Sequence, residues 1–101
     1  MDLEFEELKR EFLEEARTKV EEIAGLLDGD GFGTGESRDR GTYLAHQLKG
    51  AGGSYGYADI SAESASLEND LEASPVEGGQ IAARVDSLRR VIEERLKELS
   101  T

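Results

Sequence analysis

Apolar residues recur along this chain at steps of three and four and nowhere at steps of two, so the sequence predicts helices and no strand. The first run, within Asp2 to Leu27, places Leu8, Phe12, Ala16, Val20, Ile23 and Leu27 on one stripe, with Glu and Lys on the other face. Its acids cluster in the first half, where they favour the helix dipole, and Asp28-Gly29 supplies a C-terminal stop. A second helix is expected to begin between Ser37 and Thr42 and to end near Tyr55, with Gly56 as its stop and Leu44, Leu48, Ala51 and Tyr55 as its buried stripe. A third, from Ala58 or Asp59 to Ala73, carries Ile60, Leu67 and Leu71, with Ala62, Ser64 and Ala65 small enough for close helix approach. Ser74-Pro75 reads as an N-cap followed by proline at the first helical position, with Gly78-Gly79 able to delay the regular helix. The last stripe is Ile81, Val85, Leu88, Ile92, Leu96 and Leu99. Four amphipathic helices with short connections predict an all-α fold, an up-and-down antiparallel four-helix bundle, as a single domain over residues 1–101.

Between the first two helices lies Asp28-Gly29-Asp30-Gly31-Phe32-Gly33-Thr34-Gly35-Glu36, expected to be a mobile loop because glycine at this density holds neither helix nor strand. Its Asp-x-Asp start, with Gly33 at the sixth position, is similar to a calcium-binding loop. Phe32 at the fifth position and Asp39 at the twelfth leave that ligand set short.

Charge narrows the partners. Lys plus Arg number 12 against 23 Asp plus Glu, a formal net charge of -11, which disfavours phosphate backbones and anionic lipid. Neither nucleic acid nor membrane is an expected partner. No run approaches the roughly 18 apolar residues of a membrane span, and the acidic start Met1-Asp2-Leu3-Glu4 lacks the basic segment of a signal peptide. The chain reads as soluble and cytoplasmic, and the absence of cysteine is compatible with that. Residues 38–49 run against the overall balance, with Arg38, Arg40 and Lys49 against Asp39 alone, so a local positive area is expected around His46.

His46 is the only histidine, in Ala45-His46-Gln47-Leu48-Lys49-Gly50-Ala51-Gly52-Gly53. On a helix, Lys49, Gly50 and Gly53 follow it at three, four and seven residues and share its face. Glycine is poor helix interior, so three of them beside one histidine are read as access for a partner's active site. A hydrolase would need a nucleophile and an orienting group beside the histidine, and zinc would need more nitrogen or sulfur ligands than the chain has. Imidazole is itself a nucleophile and can take a phosphoryl group on a ring nitrogen. A cation one turn away and an open approach line suit that transfer. No segment resembles a nucleotide-binding loop, so the chain is expected to be a carrier and not an autonomous enzyme.

His46-Gln47-Leu48-Lys49-Gly50, followed by small residues, Tyr55-Gly56-Tyr57 and then Leu67-Glu68, resembles the signature of histidine phosphotransfer (HPt) domains of multistep bacterial phosphorelays. The resemblance implies that His46 accepts and donates the phosphoryl group, that Lys49 balances its charge, and that Gly50 keeps the surface open. It also implies that Glu68 holds the non-reacting ring nitrogen. The partner face is expected around the histidine, at Arg40, Thr42, Tyr43, Gly50 and Gly53. The implied partners are a response-regulator receiver domain and a histidine kinase or hybrid kinase. No cofactor is expected in this chain, and Mg2+ is expected in the partner receiver. Phe12-Leu13-Glu14-Glu15-Ala16-Arg17 also looks like the phosphotransfer module of chemotaxis-type histidine kinases, but Ala65 stands where those modules commonly have a second histidine. A non-phosphorylated helical adaptor that binds a partner through the same face is the other class of function the residues admit.

Overall fold

The structure is a computed structural model that describes residues 3–100, the side chain of Ser100 apart. Asp2, where the apolar pattern starts the first helix, lies outside the described residues. Four helices follow one another: α1 (Leu3–Asp30), α2 (Gly35–Ser54), α3 (Ala58–Glu72) and α4 (Gly78–Ser100). Among the described residues there is no strand. Each helix packs on its chain neighbours, and α4 returns to α1, which closes an antiparallel up-and-down bundle of 46 × 19 × 18 Å.

The predicted stripes build the core. Phe12, Ala16, Val20 and Ile23 meet Leu44, Leu48, Ile60, Leu67, Leu71, Ile81, Val85, Leu88, Ile92 and Leu96, all buried. Leu8 departs from the expectation and is 47% exposed. It stands one turn beyond Phe12, whose ring already stacks on Tyr55 (centroids 5.0 Å apart) just past the end of α2.

The glycine loop is shorter than expected. α1 runs through Gly29 to Asp30 and α2 starts at Gly35, which leaves 31–34 as the connection. Asp30 and Thr34 account for it. The Asp30 carboxylate accepts the Phe32 amide (3.1 Å) and the Thr34 hydroxyl (2.9 Å), and Thr34 caps α2 by accepting the Ser37 amide (3.2 Å). The Thr34 hydroxyl above all holds the Asp30 carboxyl below its ordinary pKa. Both Asp30 oxygens therefore serve the turn, and among the described residues no group of three or more His, Asp or Glu stands placed to hold a metal ion. Phe32 takes a left-handed backbone (φ 63°) and turns its ring into the core, where 2% of it is exposed. Space for the ring comes from Gly41, where a Cβ would lie 2.6 Å from Phe32 Cε1.

The start of α4 is also corrected. Ser74-Pro75 does not open it. The helix begins at Gly78, and the Glu77 carbonyl receives the Gln80 and Ile81 amides at 3.1 Å each. Two contacts hold the connection in another course: Val76 packs against the core, and Arg38 donates to the carbonyls of Leu71 (2.8 Å) and Ala73 (2.9 Å). A guanidinium from α2 thus closes the C-terminal end of α3, whose own last turn has no basic residue. Arg10 does the same for α4, donating to the Leu99 carbonyl at 2.9 Å.

Candidate functional site

Burial of Leu44, Ala45 and Leu48 on one side of α2 turns His46 outward, and its side chain is 69% exposed. Glu68 faces it from α3. The Glu68 carboxylate is largely covered (16% exposed) and divides its oxygens: Oε2 lies 3.1 Å from His46 Nδ1 and Oε1 lies 3.8 Å from Lys49 Nζ. A carboxylate only accepts, so the contact calls for a proton on Nδ1, and in the neutral ring Nε2 is then the nitrogen that keeps the lone pair. His46, Lys49 and Glu68 are thereby brought together, with Lys49 held on the carboxylate and not standing as a separate cation.

The glycines divide into two kinds. A Cβ at Gly50 would meet nothing within 4 Å, and one at Gly53 only Ser61 Oγ at 3.8 Å, so both leave open surface beside the ring. Gly52 is buried, and a Cβ there would lie 3.1 Å from the Ser61 amide nitrogen and 3.3 Å from Ile60 Cγ2. It lets α2 and α3 approach and gives no access, which corrects the common reading of all three.

The expected positive area is largely neutralised within the fold. Arg38 is engaged at the end of α3, Arg40 pairs with Glu22 on α1 (2.6 Å), and Lys49 pairs with Glu68. Arg40 also lies 5.7 Å over the ring of Tyr43, which is 52% exposed and accepts a hydrogen bond from Gln47 Nε2 at 2.8 Å. Thr42 and Tyr43 line different hollows, neither of which includes His46. Tyr43 lines a groove toward α1 with Arg40, Leu44 and Gln47, whereas Thr42, half-buried, lines a hollow toward the C-terminal end of α3.

Two contacts escaped sequence reasoning. Glu22 lies 18 residues from Arg40, and no local pattern joins them. Ser61 donates its hydroxyl to the Lys49 carbonyl at 2.9 Å. Its signal was available, because Ser61 precedes Glu68 by two helical turns and so shares its face.

Among the described residues, no helix is long and apolar enough to cross a membrane. Neither the curated proteins nor the solved structures contain a match to the chain. The family model described as Hpt domain matches residues 7–101, the stretch that runs from the second turn of α1 through α4 and includes His46, Lys49 and Glu68. With its four-helix bundle and that match over most of its length, the chain belongs to the Hpt domain family, whose work is histidine phosphotransfer in phosphorelays.

Proposed function

We propose that His46 carries the phosphoryl group on Nε2, taking it from a kinase or a phospho-aspartyl receiver and giving it to a receiver aspartate, with residues 1–101 acting as one phosphotransfer domain. The observation that carries this reading is the Nδ1 contact with Glu68, which leaves the exposed nitrogen as the nucleophile. The Nε2 lone pair attacks phosphorus in line, the bond from phosphorus to the aspartyl oxygen breaks, and the partner's carboxylate departs. The ring gains positive charge as the P–N bond forms. Glu68, already bonded to the Nδ1 proton, compensates that charge without moving. Lys49, one turn along and 3.8 Å from Glu68 Oε1, would turn from that carboxylate to the incoming phosphoryl oxygens and balance their charge, and Mg2+ bound by the receiver would supply further positive charge to them. Gly50 and Gly53 leave room for the receiver, and Arg40, Thr42 and Tyr43 form the rim it meets.

Incubation with a phosphorylated receiver domain tests the reading. The chain should gain acid-labile phosphate, and His46→Gln should fold as before and gain none. Phosphate retained on His46→Gln would overturn the assignment, and no transfer to the unaltered chain from any receiver of the source organism would favour the binding adaptor.

A further inference from the structure

The turn of α2 that carries the site is a weak piece of helix. Gly50, Gly52 and Gly53 lie in it, and each lowers helical preference. What holds the turn is its contact with α3. Gly52 seats it against the Ser61 amide, the Tyr57 amide donates to the Gly52 carbonyl at 2.8 Å, and the Ser61 hydroxyl donates to the Lys49 carbonyl at 2.9 Å. In regular helix geometry that same carbonyl receives the Gly53 amide. Ser61 therefore grips α2 at the residue that bears the ammonium.

Along the facing surfaces of α2 and α3, polar contacts occur at Ser61 with the Lys49 carbonyl, at Glu68 with His46 and Lys49, and, at the far end of α3, at Arg38 with the Leu71 carbonyl, so that Ser61 is the tie on the Tyr55 side of the site. Between Ser61 and Glu68 on α3 lies Ser64, fully buried, whose hydroxyl has no hydrogen-bond partner and so adds no tie. The ring contact has little slack. At 3.1 Å it sits near the long end of the ordinary N–H···O range of about 2.7–3.2 Å. A drift of a few tenths of an ångström between the helices would lose it.

We propose that Ser61 is a positioning residue for phosphoryl transfer: by holding the Lys49 carbonyl it fixes the register of α2 on α3, and with it the set of the His46 ring and the Lys49 ammonium against Glu68. The proposal rests on His46 being the phosphorylated residue. Ser61 touches neither the ring nor the phosphoryl group and acts through the helix backbone.

The test compares the full chain with Ser61→Ala and Ser61→Thr, the second of which keeps the hydroxyl. Three measurements are made on each: the His46 tautomer ratio by nitrogen-correlated NMR at a pH where the ring is neutral, the phosphorylation rate with a phosphorylated receiver and with phosphoramidate, and urea unfolding. Ser61→Ala should move the ratio toward the Nε2-protonated tautomer by about two- to ten-fold and slow both donors by a similar factor, the scale of one lost hydrogen bond. Ser61→Thr should restore both. Wild-type ratio and rates in Ser61→Ala would overturn the proposal. So would equal losses in both variants that merely follow a loss of stability. If the unaltered chain takes phosphate from neither donor, the phosphotransfer reading fails, while the tautomer ratio still decides the role of Ser61.

Discussion

Glu68 serves His46 and Lys49 with separate oxygens, 3.1 Å to the ring nitrogen and 3.8 Å to the ammonium. One largely covered carboxylate thus joins the two groups that the transfer uses, and their contributions can be separated by substitution. Glu68→Ala should mix the ring tautomers and slow phosphorylation of Nε2, because nothing then holds the proton on Nδ1. Lys49→Ala should slow transfer and shorten the life of the phosphorylated form while leaving the tautomer ratio in place. Nitrogen-correlated NMR of the single imidazole reads the ratio directly, and an unchanged ratio in Glu68→Ala would reduce Glu68 to an ordinary surface acid.

Gly50 has open space around it, so stability and transfer should move in opposite directions when it is replaced. Gly50→Gln should raise stability by about 1 kcal/mol through helix propensity and obstruct the receiver. Urea unfolding and a transfer assay check the two halves. Transfer at the wild-type rate would remove the steric role.

Gly41 should respond in the opposite sense. Gly41→Ala improves helix propensity, yet its Cβ would stand 2.6 Å from the Phe32 ring and 3.3 Å from Leu71 Cδ1, so it should destabilise by about 1–3 kcal/mol as overpacked cores do. A stabilised variant would mean that the ring does not fill that space.

Acid should erase one tie between α3 and α4. Burial works to raise the Asp59 carboxyl, but the hydrogen bond from Arg95 and that from the Ile60 amide outweigh it and hold the group below its ordinary pKa. A carboxyl depressed in the folded state stabilises the fold above its unfolded pKa, and that contribution is lost as pH falls through the folded value. Arg95→Met should therefore be less stable than wild type at neutral pH, with the difference closing in acid below the ordinary carboxylate range. A difference that stays constant across that range would show the guanidinium to act only through packing.

Helix existence and facing were legible because stripes such as Ile81, Val85, Leu88, Ile92 and Leu96 need only local spacing to be read. The junction of α2 and α3 was legible as well, with Gly56 just past α2 and α3 starting at Ala58, whereas the end of α1 and the starts of α2 and α4 were not, since side-chain contacts and not the apolar spacing set them. Arg38 closes α3 from 33 residues away, and Phe32 is a core residue only because Gly41 makes room for it. At the site, the spacing of His46, Lys49 and Gly50 told their common face. The resemblance pointed to Glu68, and the structure placed it on the ring. Gly50 and Gly52 look alike as letters, and only the course of α3 separates an open surface from a packed one. Arg40 was expected to offer its charge to a partner, and that charge is shared with Glu22.

The two ends of the bundle differ. At the α1–α2 connection Phe32 seals the core, while at the other end Leu3, Phe5 and Leu8 stay 40–71% exposed beside the stacked rings of Phe12, Tyr55 and Tyr57. Opening should accordingly be polarised, because segments with few buried contacts open at lower free energy than the core. Amide hydrogens in the first turns of α1 should exchange with solvent well before those around Ile23 and Leu44, and unfolding would advance from the aromatic end toward the sealed one. His46 lies between these ends, so α2 should loosen first at its C-terminal end beside Tyr55 and later at the turn bearing the imidazole.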